Sequence, residues 1–309
     1  MTILFASTVR DGQPWAQAFK AVDPVVPVRV WPDLGDPRAV TFVITWQPPP
    51  GLFARLPHLG AVSSLGAGVE GLLADPSIPA HVPLVRVVDA TLAKRMTEYV
   101  VLHVLRQHRD LDRTMAQQRA DQWTWFPSRD TARTTVGFLG LGALGQQAAA
   151  RIKALGFQVR GWTREPRLVA GVDVFHGRAM LPGFLAGCDY LVCLLPLTPE
   201  TEGIVDAALL AGLPPGACLI NAGRGAQVVE ADLLAALDSG RLAAATLDVF
   251  ATEPLPPAHR LWTHPRVTVT PHNAADTQPE AVVPQMLENY RRLQAGQPLL
   301  NPVDRARGY

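Results

Sequence analysis

The sequence predicts an α/β protein in two domains, the larger one carrying a doubly wound parallel sheet. Three observations lead there. A length of 309 residues with 48% hydrophobic content is enough for two separate cores. From Thr135 onward, near-continuous apolar strand segments alternate with helical ones, the pattern of strands covered on both faces. The first of those strands runs directly into Gly140-Leu-Gly142-Ala-Leu-Gly145 and then into the helix-forming stretch QQAAARIKAL.

Taken in order, the first hundred residues read as short apolar strands, Thr2–Ala6, Val28–Trp31, Val40–Trp46, Ala61–Ser63 and Leu84–Val88, separated by turns with Pro and Gly. This is a small α/β unit. From Ala93 to about Arg113, Met96, Val100, Leu102, Val104, Leu105 and Leu111 recur mostly at helical spacing without Gly or Pro. One long helix is expected there, carrying the chain into the second domain. After the Trp-rich polar segment Gln122–Arg133 come the strands TVGFLG, FQVRGW, YLVCLLP, ACLINA, AAATLDVF and VTVT, with helices through Ala148–Ile152 and around Asp232–Asp238. A last helix, from about Pro279 to Gln294, is placed to return to the first domain. The expected division is therefore 1–97 with 277–309 as a substrate domain, and 98–276 as an inserted dinucleotide-binding domain, with a cleft between them. No internal repeat or low-complexity tract is present.

Charge narrows the partners. With 28 basic and 27 acidic residues the net charge is +1, too small a field to gather nucleic acid or an anionic membrane. A small metabolite suits that neutrality. Cys188, Cys193 and Cys218 lie in apolar stretches without C-x-x-C spacing, which predicts buried, reduced thiols. No His, Cys or carboxylate spacing suggests a metal site, and no G-x-S-x-G or cysteine-nucleophile segment suggests acyl transfer. The start MTILFASTVRDG has no basic n-region, and no run of roughly 18 apolar residues occurs. A cytoplasmic protein is expected.

The glycine spacing is a dinucleotide fingerprint in its required context of strand, motif and helix. Gly140 permits the tight turn, Gly142 the approach of a pyrophosphate to the backbone at Ala143 and Leu144, and Gly145 close packing of helix on sheet. About 20 residues on, where an acidic side chain would bind the ribose hydroxyls of NAD, the next strand ends instead in Thr163-Arg164. A guanidinium there suits a 2′-phosphate, by stacking on adenine and pairing with the extra charge. NADP(H) is therefore preferred, with NAD(H) also possible. Arg167 is a candidate second cation; the neighbouring Glu165 either points away or weakens the case.

Three further segments end strands of the second half, INAGRGA, LDVFATEPLPP and VTPHNAA. Together with SSLGAGVE, the W-T-R strand end, DLLAALDSGRL and the closing VDRARGY, they make a chain that resembles the D-2-hydroxyacid dehydrogenases over nearly its entire length. The resemblance implies a Rossmann-type domain inserted in a smaller flavodoxin-like α/β domain, with Arg224, Glu253 and His272 as the catalytic residues. It implies NADPH-dependent reduction of small 2-keto acids, of the size of glyoxylate and hydroxypyruvate.

The residue types suit that chemistry in their own right. A guanidinium at Arg224 fixes a carboxylate by two parallel hydrogen bonds and polarises the adjacent carbonyl. A histidine at 272 supplies a proton near neutral pH as charge grows on the carbonyl oxygen. A carboxylate at Glu253, bonded to the other ring nitrogen, favours imidazolium and fixes the tautomer. The remaining seven histidines, His58, His103, His176 and His264 among them, have no comparable sequence setting.

By resemblance only, Leu65, Gly66, Ala67 and Gly68 present backbone N–H groups to the substrate carboxylate, and Trp46 places an indole at the substrate mouth. Leu195, Pro196, Ala222, Arg224 and Asp248 fall near the nicotinamide. Trp123 and Trp125 reach toward a partner subunit, implying a homodimer. Two other readings stay open. One is a broader 2-hydroxyacid dehydrogenase for keto acids such as phenylpyruvate, and the other a non-catalytic NAD(P)-sensing interaction protein.

Overall fold

Parallel strands need long crossovers, and crossover helices on both faces leave the strands apolar on both sides. Both sheets of this chain are parallel throughout; helices cross between most of the strands of the larger, whereas one face of the smaller is covered largely by loop residues such as Leu52, Leu56 and Ile78. The computed structural model describes residues 1–309 and divides into two compact units, Met1–Thr91 with Asp276–Tyr309, and Leu92–Ala275.

The first unit begins with β1 (Thr2–Ser7), α1 (Gln13–Val22), β2 (Val28–Val30), β3 (Val40–Trp46), β4 (Ala61–Ser64), α2 (Glu70–Leu73) and β5 (Leu84–Val85). Its five parallel strands run in the order β2-β1-β3-β4-β5. Alternate side chains divide between two cores, as the period of a strand demands. Ile3, Phe5, Phe42 and Ile44 join Trp15, Ala18 and Phe19 of α1, while Leu4, Ala6, Val43 and Val62 face Leu52, Phe53 and Leu56.

The second unit contains α3 (Ala90–His108), which starts at the junction, then α4 (Leu111–Arg119), β6 (Thr135–Leu139), α5 (Ala143–Ala154), β7 (Gln158–Thr163), β8 (Asp173–His176), α6 (Gly177–Leu185) and β9 (Tyr190–Cys193). It continues through α7 (Ala207–Gly212), β10 (Ala217–Asn221), α8 (Glu230–Asp238), β11 (Leu242–Leu247) and β12 (Val267–Val269). The seven strands are all parallel, in the order β12-β11-β10-β9-β6-β7-β8. From β6 the chain winds outward through β7 and β8, then resumes on the other side of β6 at β9. That reversal makes the carboxyl ends of β6 and β9 the topological switch point, where open α/β sheets hold ligands. Finally α9 (Pro279–Gln294) returns to the first unit. Its Val282, Val283, Met286, Leu287 and Tyr290 fill the core under α1, and Arg291 meets Asp23 at 2.6 Å.

Several elements differ from expectation. The helix expected over Ala93–Arg113 is two, because Asp110 takes a left-handed conformation (φ 47°) between α3 and α4. Aspartate is among the few residues that tolerate that region. The strand expected to run to Val88 stops at Val85, since the Arg86 and Val87 N–H groups donate to Asn301 and Gly66 instead of continuing beside β4. The first junction falls at 91/92 rather than 97/98, with α3 already begun.

The three cysteines are buried and unpaired. Burial pushes the Cys188 and Cys193 thiols up to about 12 and Cys218 to about 11, so they are protonated near neutral pH. No helix is long and apolar enough to cross a membrane, and no group of three or more His, Cys, Asp or Glu side chains is placed to hold a metal ion.

Candidate functional site

The glycine turn closes on the switch point. Gly140 has φ +99°, and a Cβ there would lie 2.9 Å from the Leu194 carbonyl oxygen, so both backbone shape and space require glycine. A Cβ on Gly145 would run into the Gly140 carbonyl, which is the close helix-to-strand approach expected. At Gly142 the opposite holds: a Cβ would meet nothing within 4 Å. Gly142 precedes α5 without a side-chain cap, so Ala143, Leu144 and Gly145 begin a helix whose first N–H groups have no intrahelical acceptor. An open, donor-lined turn at a helix start fits a pyrophosphate.

At the end of β7, Thr163 is buried, and its hydroxyl donates to the Glu165 carbonyl at 2.7 Å. That bond shapes the turn, so Thr163 serves the loop with its proton rather than offering it outward. Arg164 is exposed, and with Arg178 it contributes positive charge felt at Glu200. Arg167 folds back over the glycine turn, donating to the Leu141 carbonyl at 2.5 Å. Two arginines thus flank the position where an acidic side chain would reject a 2′-phosphate.

Arg224 sits in the turn after β10, held by two amides that the sequence reading did not single out. Gln227 is fully buried; its Oε1 accepts the Arg224 N–H at 2.9 Å, and its Nε2 donates to the carbonyls of Leu195 (2.8 Å) and Pro196 (3.1 Å). Asn221, also fully buried, donates to the Arg224 carbonyl at 3.1 Å. One glutamine therefore ties the Leu195-Pro196 strand end to the arginine turn. The signal in the sequence was the pair of amides three residues either side of Arg224, in NAGRGAQ. Ala222 is buried in the same turn, its N–H on the Cys193 carbonyl at 3.2 Å.

Gly225 carries the turn against the next one. A Cβ there would overlap the Phe250 carbonyl group and the Ala251 nitrogen, all backbone atoms that cannot swing aside. Gly225→Ala is expected to lower stability by about 1–3 kcal/mol, read from the denaturant midpoint. An unshifted midpoint would show that the two turns are not in enforced contact.

That next turn, after β11, holds Glu253. Its Oε1 accepts the Phe250 N–H at 2.9 Å, and its Oε2 lies 2.7 Å from His272 Nδ1. Burial opposes ionisation of Glu253, but the His272 hydrogen bond, the Phe250 N–H and the charges of His272 and Arg224 outweigh it and hold the carboxyl below its ordinary value. An ionised carboxylate only accepts, so the proton of the shared bond sits on Nδ1. His272 has φ 52°, an uncommon backbone conformation for a residue with a Cβ, of the kind that collects at functional sites.

Asp248 was expected near the nicotinamide carboxamide. It is 2% exposed, and its carboxylate is turned into the His272 loop, accepting from the Thr270 hydroxyl (2.6 Å) and the N–H groups of Asn273 (3.0 Å) and Ala274 (2.9 Å). A strand-end anchor for the loop is what the geometry gives. Two other histidines also meet carboxylates, His259 with Glu230 at 3.2 Å and His264 with Asp238 at 3.3 Å. What sets His272 apart is its seat at a strand's carboxyl end, sharing Glu253 with the field of Arg224.

In the first unit, Trp46 ends β3 with its indole 3.8 Å from where a Gly66 Cβ would stand. The expectation gave this loop four outward N–H groups. Leu65 instead donates to Thr45, extending the β3–β4 ladder, and Gly66 to the Ser64 hydroxyl at 3.2 Å. Only the N–H groups of Ala67 and Gly68 have no acceptor in the protein. Trp123 and Trp125 are 100% and 82% exposed.

A glycine turn at the switch point of a seven-stranded parallel sheet, with an arginine and a glutamate–histidine pair at neighbouring strand ends, defines a dinucleotide-dependent oxidoreductase. The sequence profile of the D-isomer specific 2-hydroxyacid dehydrogenase NAD-binding domain matches residues 101–274. The chain belongs to the D-isomer specific 2-hydroxyacid dehydrogenase family. It is 43% identical to glyoxylate/hydroxypyruvate reductase A of Serratia proteamaculans and 40% identical to that of Yersinia enterocolitica, each over 100% of both chains. Among solved structures it is similar to a D-isomer specific 2-hydroxyacid dehydrogenase from Xanthobacter autotrophicus in complex with NADPH and MES, with 46% identity, a TM-score of 0.95 and coverage of 100% and 99%. An NADPH-dependent glyoxylate/hydroxypyruvate reductase from Sinorhizobium meliloti, in complex with NADP and sulfate, matches at 39% identity, a TM-score of 0.94 and coverage of 100% and 99%.

Proposed function

We propose that this protein reduces small 2-keto acids with NADPH, glyoxylate to glycolate and hydroxypyruvate to D-glycerate. The observation that carries the reading is the Glu253–His272 pair at 2.7 Å, whose carboxyl also lies in the field of Arg224. Full-length relatives named for this reaction support the substrate class, and neighbours bound to NADPH or NADP support the cofactor.

When bound, NADPH would supply the hydride for C2 of the keto acid, its pyrophosphate held by the Ala143 and Leu144 N–H groups at the glycine turn. Arg224 grips the substrate carboxylate and draws electron density toward it from the neighbouring carbonyl. His272, protonated on both ring nitrogens, gives its Nε2 proton to the carbonyl oxygen as that becomes a hydroxyl. Glu253 stays ionised, keeps the Nδ1 proton and balances the imidazolium charge. Leu195, Pro196 and Ala222 are assigned to the nicotinamide side, and Arg164 with Arg167 to the 2′-phosphate. In the first unit, the Ala67 and Gly68 N–H groups are assigned to substrate, with Trp46 limiting its size. A homodimer in the cytoplasm belongs to the same proposal, supported by the exposed Trp123 and Trp125 and by three unpaired cysteines.

The test is a keto-acid panel assayed with both cofactors at equal concentration. Glyoxylate and hydroxypyruvate should be reduced faster than phenylpyruvate, NADPH should be oxidised faster than NADH, and Arg164→Ala should narrow the cofactor ratio. Equal or reversed cofactor rates would reject the Arg164 assignment, and a phenylpyruvate preference would reject the small-substrate reading.

A further inference from the structure

We propose that Tyr99 of α3 is a positioning residue for the reaction, holding the His272 loop in its working geometry through Thr270 and Asp248. The inference rests on reading His272 as the proton donor.

The link is a directed chain of hydrogen bonds. Tyr99 is buried, and its hydroxyl oxygen lies 2.8 Å from Thr270 Oγ1, across 171 positions of sequence. Thr270 Oγ1 donates to Asp248 Oδ1 at 2.6 Å. Because a carboxylate only accepts, the single threonine proton is committed to Asp248, and the phenol must donate to Thr270. Burial pushes the phenol above its ordinary value, which keeps that proton in place. Asp248 then grips the loop at three points: its carboxylate takes the N–H groups of Asn273 and Ala274, and its backbone carbonyl takes the N–H of His272 at 2.9 Å.

This arrangement answers a need. The left-handed backbone at His272 persists only where its surroundings over-determine it. β11 supplies Asp248, but Asp248 is itself at a strand end, and a charge-assisted bond from Thr270 fixes which way its carboxylate turns. Tyr99 joins that bond to a helix. His103 backs the phenol, with ring centroids 4.3 Å apart. His103 is 4% exposed, and burial lowers it to about 4, so it adds no charge beside Asp248 near neutral pH. A phenylalanine at 99 would fill the same volume; only the hydroxyl makes the connection.

Tyr99→Phe isolates that hydroxyl. In the proposed reductase assay it should lower kcat roughly three- to tenfold, with KM for keto acid and NADPH changed less than twofold. In a His272→Ala background the same substitution should change kcat less than twofold, because the link acts through His272 and has nothing left to position. Thr270→Val should reproduce the loss, and Thr270→Ser should recover most of it. A second readout needs no turnover. In the protein without added ligands, the His272 Nδ1–H resonance should broaden through faster exchange in Tyr99→Phe and Thr270→Val, and sharpen again in Thr270→Ser. Wild-type kcat in Tyr99→Phe, or an equal loss with and without His272, would overturn the proposal. If the wild-type protein reduces no 2-keto acid, the reaction reading fails, while the resonance still decides whether Tyr99 holds the loop: an unchanged signal in both variants refutes the link.

Discussion

Replacement of His272 by alanine is expected to lower kcat by roughly 10²-fold or more and to leave the fold intact. The side chain is 36% exposed and is absent from the buried cores, so its loss opens no cavity. Asp248 anchors the loop through the N–H groups of residues 272 to 274, which alanine retains. The effect should therefore fall on chemistry. It should also be visible at Glu253, whose carboxyl is held below the ordinary 4.5 partly by the His272 hydrogen bond. A carboxyl lowered in the folded state stabilises it above the unfolded value, and that contribution is lost as pH falls through the folded value. In the wild type the pair should thus persist from neutrality to below pH 4.5, and in His272→Ala the Glu253 titration should move upward. Steady-state rates, a thermal melt and carboxyl chemical shifts against pH measure the three parts. Near-normal turnover would remove His272 from the mechanism, and an unmoved Glu253 titration would deny the pair its electrostatic role.

The parts of this molecule that declared themselves in sequence are those where one physical requirement dominates. Strands covered on both faces must be apolar throughout, so β6, β9 and β10 could be read directly. The glycine turn could be read because Gly140 and Gly145 answer steric demands that no other residue meets. Elements with divided loyalties were harder. α1 buries only Trp15, Ala16, Ala18 and Phe19 and begins beside a proline, and α6 has Pro182 in its interior. β8 is a short edge strand with no fully buried residue. The break at Asp110 depends on one residue's backbone angle, which hydrophobic spacing does not encode. At the site, Arg224, Glu253 and His272 are visible because their chemistry is explicit. Asn221 and Gln227 are not, since an amide's role appears only once the turn around it is folded. The Leu65–Gly68 loop fell between: its glycines marked a turn, but which N–H groups stay unclaimed depends on how far the β3–β4 ladder runs.

Arg224→Ala is expected to lower kcat/KM for a short keto acid by roughly 30- to 4000-fold, the loss that follows from about 2–5 kcal/mol when one partner of a hydrogen-bonded charge pair is removed. The damage should be shared between KM and kcat, because the guanidinium both binds the carboxylate and polarises the carbonyl beside it. Folding should survive. The turn is held through backbone groups of residue 224, its N–H on Gln227 and its carbonyl on Asn221, and alanine keeps both. One bond of the side chain, from Nη1 to the Gly223 carbonyl at 2.7 Å, lies within the turn itself. Arg224→Lys separates charge from shape. An ammonium restores attraction but not two parallel hydrogen bonds, so its kcat/KM should fall between those of arginine and alanine, with the larger share of recovery in KM. If lysine matched arginine, the planar fork would be irrelevant and Arg224 would act as a point charge. If alanine left both constants unchanged, the substrate carboxylate would be held by groups other than Arg224.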